Sequence, residues 1–317
     1  MRLVTYRPKD CWDPTLTLAG VLHDDRVVNL NALPLPASYR RPERAFRSVE
    51  DVLLAHALEA VRAAWEGVLG DVDGLRRLLA ERSLPVREIR FEPPVLRPTK
   101  VIGVGMNYRS FLAQMGEPTP EHPTVFHKTA SALRGHLQSV EVPPNTDQPV
   151  PEGELALVIG ARAHQVPLSQ ALAHVAGYCC ANDISARDLE FQTTQWTSGK
   201  MLATFAPLGP ALVTRDEIDD VDDLRIRTFL NGRVIQDGNT GDMTFRVADI
   251  ISRLSMLTPL EVGDVILTGT PSDLGELSPQ IFLRADDLIE VEVEGVGRLS
   301  NRVFAPHLSP RTLTATP

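Results

Sequence analysis

The sequence predicts an α+β protein that is mostly β. Three observations point there. Beyond residue 98 the chain is a series of short β-rich runs bounded by Gly, Pro, Asn and Asp clusters. Helix-period patterns are few and concentrate before residue 95. Between the two textures stands Glu92-Pro-Pro-Val-Leu-Arg-Pro98, whose prolines favour extended chain and interrupt periodic elements. The expected organisation is a small α/β domain over 1–95, a larger β-rich domain over 96–306 and a loose polar tail over 307–317.

The elements follow in order. Arg2-Leu-Val-Thr-Tyr-Arg7 alternates as a half-buried strand does. Two further apolar runs flank His23-Asp24-Asp25, which suits a hairpin turn. Ser48 with Asp51 three residues on is a capping-box variant. Val49, Val52, Leu53, Ala57, Val61, Ala64, Trp65 and Val68 then recur at helical spacing, so a helix is predicted over 48–69, ended by Gly70. A second helix is predicted over 73–82. In the larger domain KVIGVG, LALVIG, ALVT, RIRTFLNG, VILTG and IEVEVEG read as strands, and 168–176 and 246–257 as helices.

Charge and composition narrow the function. A net charge of −9 argues against nucleic acid as a partner, because phosphate binding needs basic patches. It leaves room for a small anionic substrate held by a few local cations or a metal. No apolar run approaches the roughly 20 residues of a membrane span. The N-terminal residues alternate and carry charge without a signal-like apolar stretch, so the expected compartment is the cytoplasm. The three cysteines are Cys11 and the adjacent Cys179 and Cys180, best read as reduced thiols. The lysines are only four, Lys9, Lys100, Lys128 and Lys200, in a chain with 32 Lys and Arg together. A lysine in so arginine-rich a chain suggests a need for a compact charge.

Two carboxylates open an apolar run in Glu152-Gly153-Glu154-Leu-Ala-Leu-Val-Ile-Gly160. On a strand, i and i+2 share a face, and their mutual repulsion is removed by a hard cation with oxygen ligands, Mg2+, Mn2+ or Ca2+. A solvated turn with two surface acids is the other reading. Asp183 ends a second apolar run, Gly177-Tyr-Cys-Cys-Ala-Asn-Asp183, where a buried acid needs a cation or hydrogen bonds. Arg187 lies four residues on and can pair with it; an N-cap role for Asp183 is the alternative.

Over about residues 100–304 the chain resembles the fumarylacetoacetate hydrolase family. Its members include 2-hydroxyhepta-2,4-diene-1,7-dioate isomerases and acylpyruvate hydrolases. The matching segments are Val101-Ile-Gly-Val-Gly-Met-Asn-Tyr108, Pro123-Thr-Val-Phe-His-Lys128 and Glu152-Gly-Glu154. They continue with Asn182-Asp183, Ala186-Arg187-Asp188, Gly199-Lys200, Pro207-Leu-Gly-Pro210, Asn231-Gly232 and Gly263-Asp264-Val-Ile-Leu-Thr-Gly-Thr-Pro271. The resemblance implies a mixed β-sandwich and β-roll core beside a small N-terminal domain, and a homodimer. It assigns Glu152, Glu154 and Asp183 to the metal and makes Lys200 and Asp183 catalytic. It gives Lys128, Arg187, Glu190, Thr270 and Tyr108 to the substrate, a small anionic oxo acid.

The likeness fails at one informative place. Hydrolytic members carry His and Glu after Asn-Tyr, on a short lid helix that activates water. Here Phe111 and Gln114 stand at those positions, and neither is a general base. Glu190 replaces the family's Gln, and Ala203 its Asp. The implied activity is metal-dependent chemistry on a 2-oxo or 1,3-dioxo acid through an enolate, as C–C hydrolysis or isomerisation. The alternatives are tautomerisation or decarboxylation without water activation, and a metabolite-binding homologue without turnover. His122 or Glu121 in the following loop is a minor candidate for a substitute base, and His127 is expected to face away from Lys128 along a strand.

Overall fold

The structure is a computed structural model that describes residues 1–13, 15–39, 44–274 and 281–310. From residue 311 the expected tail lies outside the described residues. The architecture is mixed α/β and strand-rich, built on a 12-stranded sheet and a five-stranded sheet.

The central antiparallel pair of the large sheet is Gly153–Ile159 and Val175–Asn182. Every residue of both strands is buried. Their continuous apolar runs therefore mean burial on both faces rather than one. Leu155, Leu157, Ile159, Tyr178 and Cys180 join the apolar core shared with the five-stranded sheet, including Ile226, Val291, Val293 and Leu299. Ala156, Val158, Cys179 and Ala181 face the opposite core. Cys179 and Cys180 are free and belong to different cores, as the alternation of a strand requires.

The opposite core contains the N-terminal helices. Val49–Leu54 carries the predicted capping box, with the Ser48 side chain accepting from Asp51 N–H and the Asp51 carboxylate accepting from Ser48 N–H. The single helix predicted over 48–69 is broken, because Val49–Leu54 ends at Ala55 and Leu58–Leu69 follows. His56 between them has φ +52°, outside the helical region. Val49, Val52, Leu53, Val61, Ala64 and Trp65 are nevertheless all in this core. A helix spans Val72–Arg82, and the hairpin at Asp24 and Asp25 joins Leu18–His23 to Arg26–Asn29. The segment predicted as helix over 168–176 is a 3-10 helix, Leu168–His174.

The sheet crosses the proposed boundary near residue 95. Strand Arg2–Pro8 pairs with Ala206–Thr214, Arg2 opposite Val213. The division at 95 is thus a proposal about chain order, within one continuous sheet.

Replacing Ser48 with Ala removes the cap of a helix that packs on this sheet. Urea unfolding is expected to show a loss of about 1 kcal/mol, and an unchanged midpoint would mean that the cap contributes nothing here.

Candidate active site

The site forms where the central strand pair ends. Gly153 is opposite Asn182 and Glu154 opposite Ala181, which brings Glu152 beside Asp183. Asp183 N–H donates to Glu152 C=O at 2.8 Å, and Glu152 N–H donates to Asn182 Oδ1 at 3.0 Å. Glu152, Glu154 and Asp183 are all buried, and each offers a carboxylate oxygen within 4.8 Å of the others. The i and i+2 spacing thus does bring both glutamates to one cluster.

Three cations surround it. Lys200 Nζ donates to Glu152 Oε2 at 2.6 Å and to Asp183 Oδ2 at 2.8 Å. Lys128 Nζ donates to Asp183 Oδ1 and, at 3.0 Å, to Ile184 C=O. Arg187 spans Glu152 and Glu190, with Nη2 on the first and Nη1 on the second. Burial opposes ionisation of Glu152, but Lys200 and Arg187 outweigh it and hold its pKa at about 2. Burial also works against the Lys200 ammonium, yet Asp183, Glu152 and Glu190 push its pKa up. The Lys128 pKa is lowered, with burial the largest cause.

Glu154 differs. It accepts the Gly269 N–H at 2.7 Å, and among the described residues no ammonium or guanidinium pairs with it. Burial, then the neighbouring Asp183 and Glu152 carboxylates, push its pKa well up. A buried carboxylate with acid neighbours and a backbone donor as its partner is the signature of a site short of positive charge. Three clustered oxygen donors, with no thiolate or imidazole among them, suit a hard divalent ion.

The backbone at the cluster is fixed from both sides. Gly269 has φ +97°, and a Cβ there would lie 2.9 Å from Asn107 Cβ and 3.0 Å from Val104 C=O. Only glycine brings this N–H to Glu154. The buried Asn107 side chain ties the turn down, donating to Thr268 C=O at 2.7 Å and accepting from Phe245 N–H at 2.8 Å. Gln236 accepts from Gly153 N–H at 3.0 Å and donates to Thr270 Oγ1 at 3.0 Å, and Thr270 Oγ1 donates to Gly153 C=O at 2.9 Å. No sequence signal marked Gln236.

A cavity of about 390 Å3 opens beside the carboxylates. Its wall includes Glu152, Glu154, Asp183, Arg187, Glu190, Lys200 and Thr270. Two residues expected to contact substrate are not on it. Tyr108 is wholly buried at the start of helix Arg109–Met115, and Lys128 sits behind Asp183 with no side-chain exposure. Each is displaced by one layer, Lys128 because Asp183 claims its ammonium. Phe111 and Gln114 are on the wall, whereas Glu121 and His122 are exposed and absent from it. His127 is exposed while Lys128 is buried, as strand alternation requires. Asp273 also lines the cavity and was not singled out from the sequence, although it lies three residues beyond Thr270. Burial and the Glu152 charge raise its pKa, against the pull of Arg187.

The family model for the fumarylacetoacetate (FAA) hydrolase C-terminal domain matches residues 100–304. The chain belongs to the fumarylacetoacetate hydrolase family. Family membership makes it one of a group of hydrolases, isomerases and tautomerases. It is 42% identical over 233 residues to the Homo sapiens protein named oxaloacetate tautomerase FAHD2A, mitochondrial, covering 72% of this chain and 74% of that one. Over 307 residues it is 34% identical to oxaloacetate tautomerase fahd2, mitochondrial, of Xenopus laevis, covering 96% of this chain and 90% of that one. Among solved structures, maleylpyruvate hydrolase from Sphingobium sp. SYK-6, in complex with manganese(II) ion and pyruvate, aligns with TM-score 0.74 at 25% identity. That alignment covers 96% of this chain and 99% of the other. Fumarylacetoacetate hydrolase from Exiguobacterium antarcticum aligns with TM-score 0.75 at 31% identity, covering 96% and 99%. Both of the named tautomerases are called mitochondrial, which does not fit a definite cytoplasmic assignment. Among the described residues no helix is long and apolar enough to cross a membrane.

Exchanging Glu154 for Gln tests the shortage of positive charge. A carboxyl whose pKa is higher folded than unfolded favours the fold below its unfolded pKa and loses that advantage as pH rises through the folded value. In metal-free protein at pH 8, Glu154→Gln is therefore expected to raise the thermal midpoint by roughly 2 °C or more. The gap should widen with pH, and added Mg2+ should stabilise the natural protein but not the variant. A lower midpoint in the metal-free variant would mean that the carboxylate is already compensated.

Proposed function

We propose that this family member catalyses keto–enol tautomerisation of a small 2-oxo acid with a divalent ion, Mg2+ or the related Mn2+ or Ca2+. The observation that carries the reading is the identity of the lid residues: Phe111 and Gln114 line the cavity where hydrolytic members carry the pair that activates water. With neither residue able to take a proton from water, hydrolysis loses its water-activating pair, while enolisation needs a base at C3–H but no activated water. The names of the tautomerase relatives support the same choice.

Glu152, Glu154 and Asp183 are the residues that would hold the ion. When bound, it supplies Lewis-acid polarisation of the oxo group. Lys200, anchored on two of the carboxylates, is a fixed positive charge beside the site where the oxo oxygen gains negative charge. Its raised pKa suits that role better than proton shuttling. Thr270 shapes the wall by the turn it holds. Asp273 is the wall carboxylate suited to move the proton, because its raised pKa brings it nearer the working range of a general base. In the enol direction the C3–H bond breaks and its electrons form the C2–C3 double bond; the C2=O π pair moves to oxygen, which takes a proton from solvent, while the C3 proton goes to Asp273 and is then released to solvent. The sum is an isomerisation with no co-reactant. A homodimeric protein without a nucleic-acid partner completes the proposal; the dimer rests on the family likeness and the last point on the net charge of −9.

The test is enol loss from oxaloacetate with Mg2+, followed by ultraviolet absorbance, with CO2 and acid products assayed in parallel. Enol loss alone is expected; carboxylic acid or CO2 release would move the protein to a hydrolase or decarboxylase. Asp183→Ala should abolish the metal-dependent rate, and full activity would remove the triad from the mechanism. Asp273→Asn should slow enol–keto exchange by roughly 100-fold and remove the acid limb of the pH–rate profile. That limb should lie above the ordinary Asp value of about 4, since the base form is needed and its pKa is raised. A variant with a normal rate and profile would assign the proton to another group.

A further inference from the structure

The charge on the cavity wall is unbalanced. Six acids line it, Glu117, Glu152, Glu154, Asp183, Glu190 and Asp273, against Arg187 and Lys200. With Lys128 paired to Asp183 behind the wall, a divalent ion in the triad would still leave an excess of one negative charge. Neither cation is open. Lys200 is held by Glu152 and Asp183, and Arg187 by Glu152 and Glu190. The Arg187–Glu190 pair is nearly shut off from solvent, with side-chain exposures of 11% and 4%. Breaking such a pair to greet a second substrate carboxylate would leave Glu190 buried and uncompensated.

Apart from Gln114 and Thr270, the rest of the wall is apolar. Phe126 lies against the Lys200 ammonium, 4.8 Å from Nζ to the ring centroid, and its ring meets Trp196 edge-on at 6.0 Å. Gly105 makes room for that ring, since a Cβ there would lie 2.4 Å from Trp196 Cζ3. Phe111, Met115 and Phe191 continue the surface to the mouth, where Met115 is 54% and Phe191 65% exposed. An apolar strip running outward from the carboxylates offers burial to a hydrocarbon or aromatic group and no partner to an anion.

We propose that Glu190 determines substrate charge: by holding Arg187, it fits this site to monoanionic 2-oxo acids with an apolar, aromatic-sized distal group, in preference to dianions. The inference rests on the tautomerase reading for the class of head group and narrows it at the distal end. Replacing Glu190 with the neutral, isosteric Gln frees one edge of the Arg187 guanidinium and removes one negative charge. A second carboxylate would then meet an Arg187 guanidinium with one charged partner, Glu152, instead of two.

The experiment compares phenylpyruvate with oxaloacetate, both with saturating Mg2+, in the natural protein and in Glu190→Gln. Binding is read by titration calorimetry, and turnover by enol absorbance. The natural protein is expected to favour phenylpyruvate by at least about 10-fold in both Kd and kcat/KM. Glu190→Gln should improve oxaloacetate relative to phenylpyruvate by about 10-fold or more, so that the preference of the natural protein shrinks or reverses. Oxaloacetate preference in the natural protein, or an equal shift of both ligands in a folded variant, would overturn the proposal. If the variant fails to fold, the preference of the natural protein alone decides. Preferential binding of phenylpyruvate with no turnover of either acid would uphold the charge selectivity and defeat the tautomerase reading. Binding of neither would defeat both.

Discussion

The register of Gly153–Ile159 against Val175–Asn182 fixes everything at the site. It sets Glu152 beside Asp183 and turns Glu154 toward both, at the end of a strand pair packed on both faces. A one-residue slip would exchange the two faces of a strand and scatter the carboxylates. Two apolar cores make such a slip costly, so the architecture that binds the chain together also concentrates the acids. The carboxylates are costly to bury in turn, and Lys128, Lys200 and Arg187 offset that cost only in part.

That partial offset separates the three acids. Glu152 and Asp183 each meet cations, while Glu154 meets a backbone N–H and two like charges. The cluster is therefore electrostatically incomplete by itself, and the chemistry of its donors says what completes it. The glycine turn at Gly269 and the hydrogen bonds of Gln236 and Thr270 hold the geometry without adding charge. Rigid support around an incomplete cluster is what a metal-assisted enolisation needs, because the groups must be in place before charge develops.

Three of the departures from the family pattern, Phe111, Gln114 and Glu190, fall on the cavity wall rather than on the triad. Phe111 and Gln114 change what the wall can do to water, and Glu190 changes what Arg187 can do for a second anion. Side chains on the wall of such a cavity can change reaction and substrate while the fold stays the same.

From the sequence alone came the β-rich fold class, the capping box at Ser48, most strands and the carboxylate triad. The first three rest on local signals, period-two alternation and a cap three residues from its partner, whereas acids at the ends of apolar runs left the triad open until the family likeness assigned it. Tertiary structure decided the rest. Lys128 moved behind Asp183 and Tyr108 into the interior, because which layer a side chain occupies depends on what packs over it. The N-terminal strands joined the main sheet through pairing across more than two hundred residues, which no local pattern encodes. Asp273 and Gln236 gained their places from turns and strands distant in sequence. Local residue order writes the periodicity and the donors, whereas the meeting of distant segments settles which charges are paired, which are left over and which face the cavity.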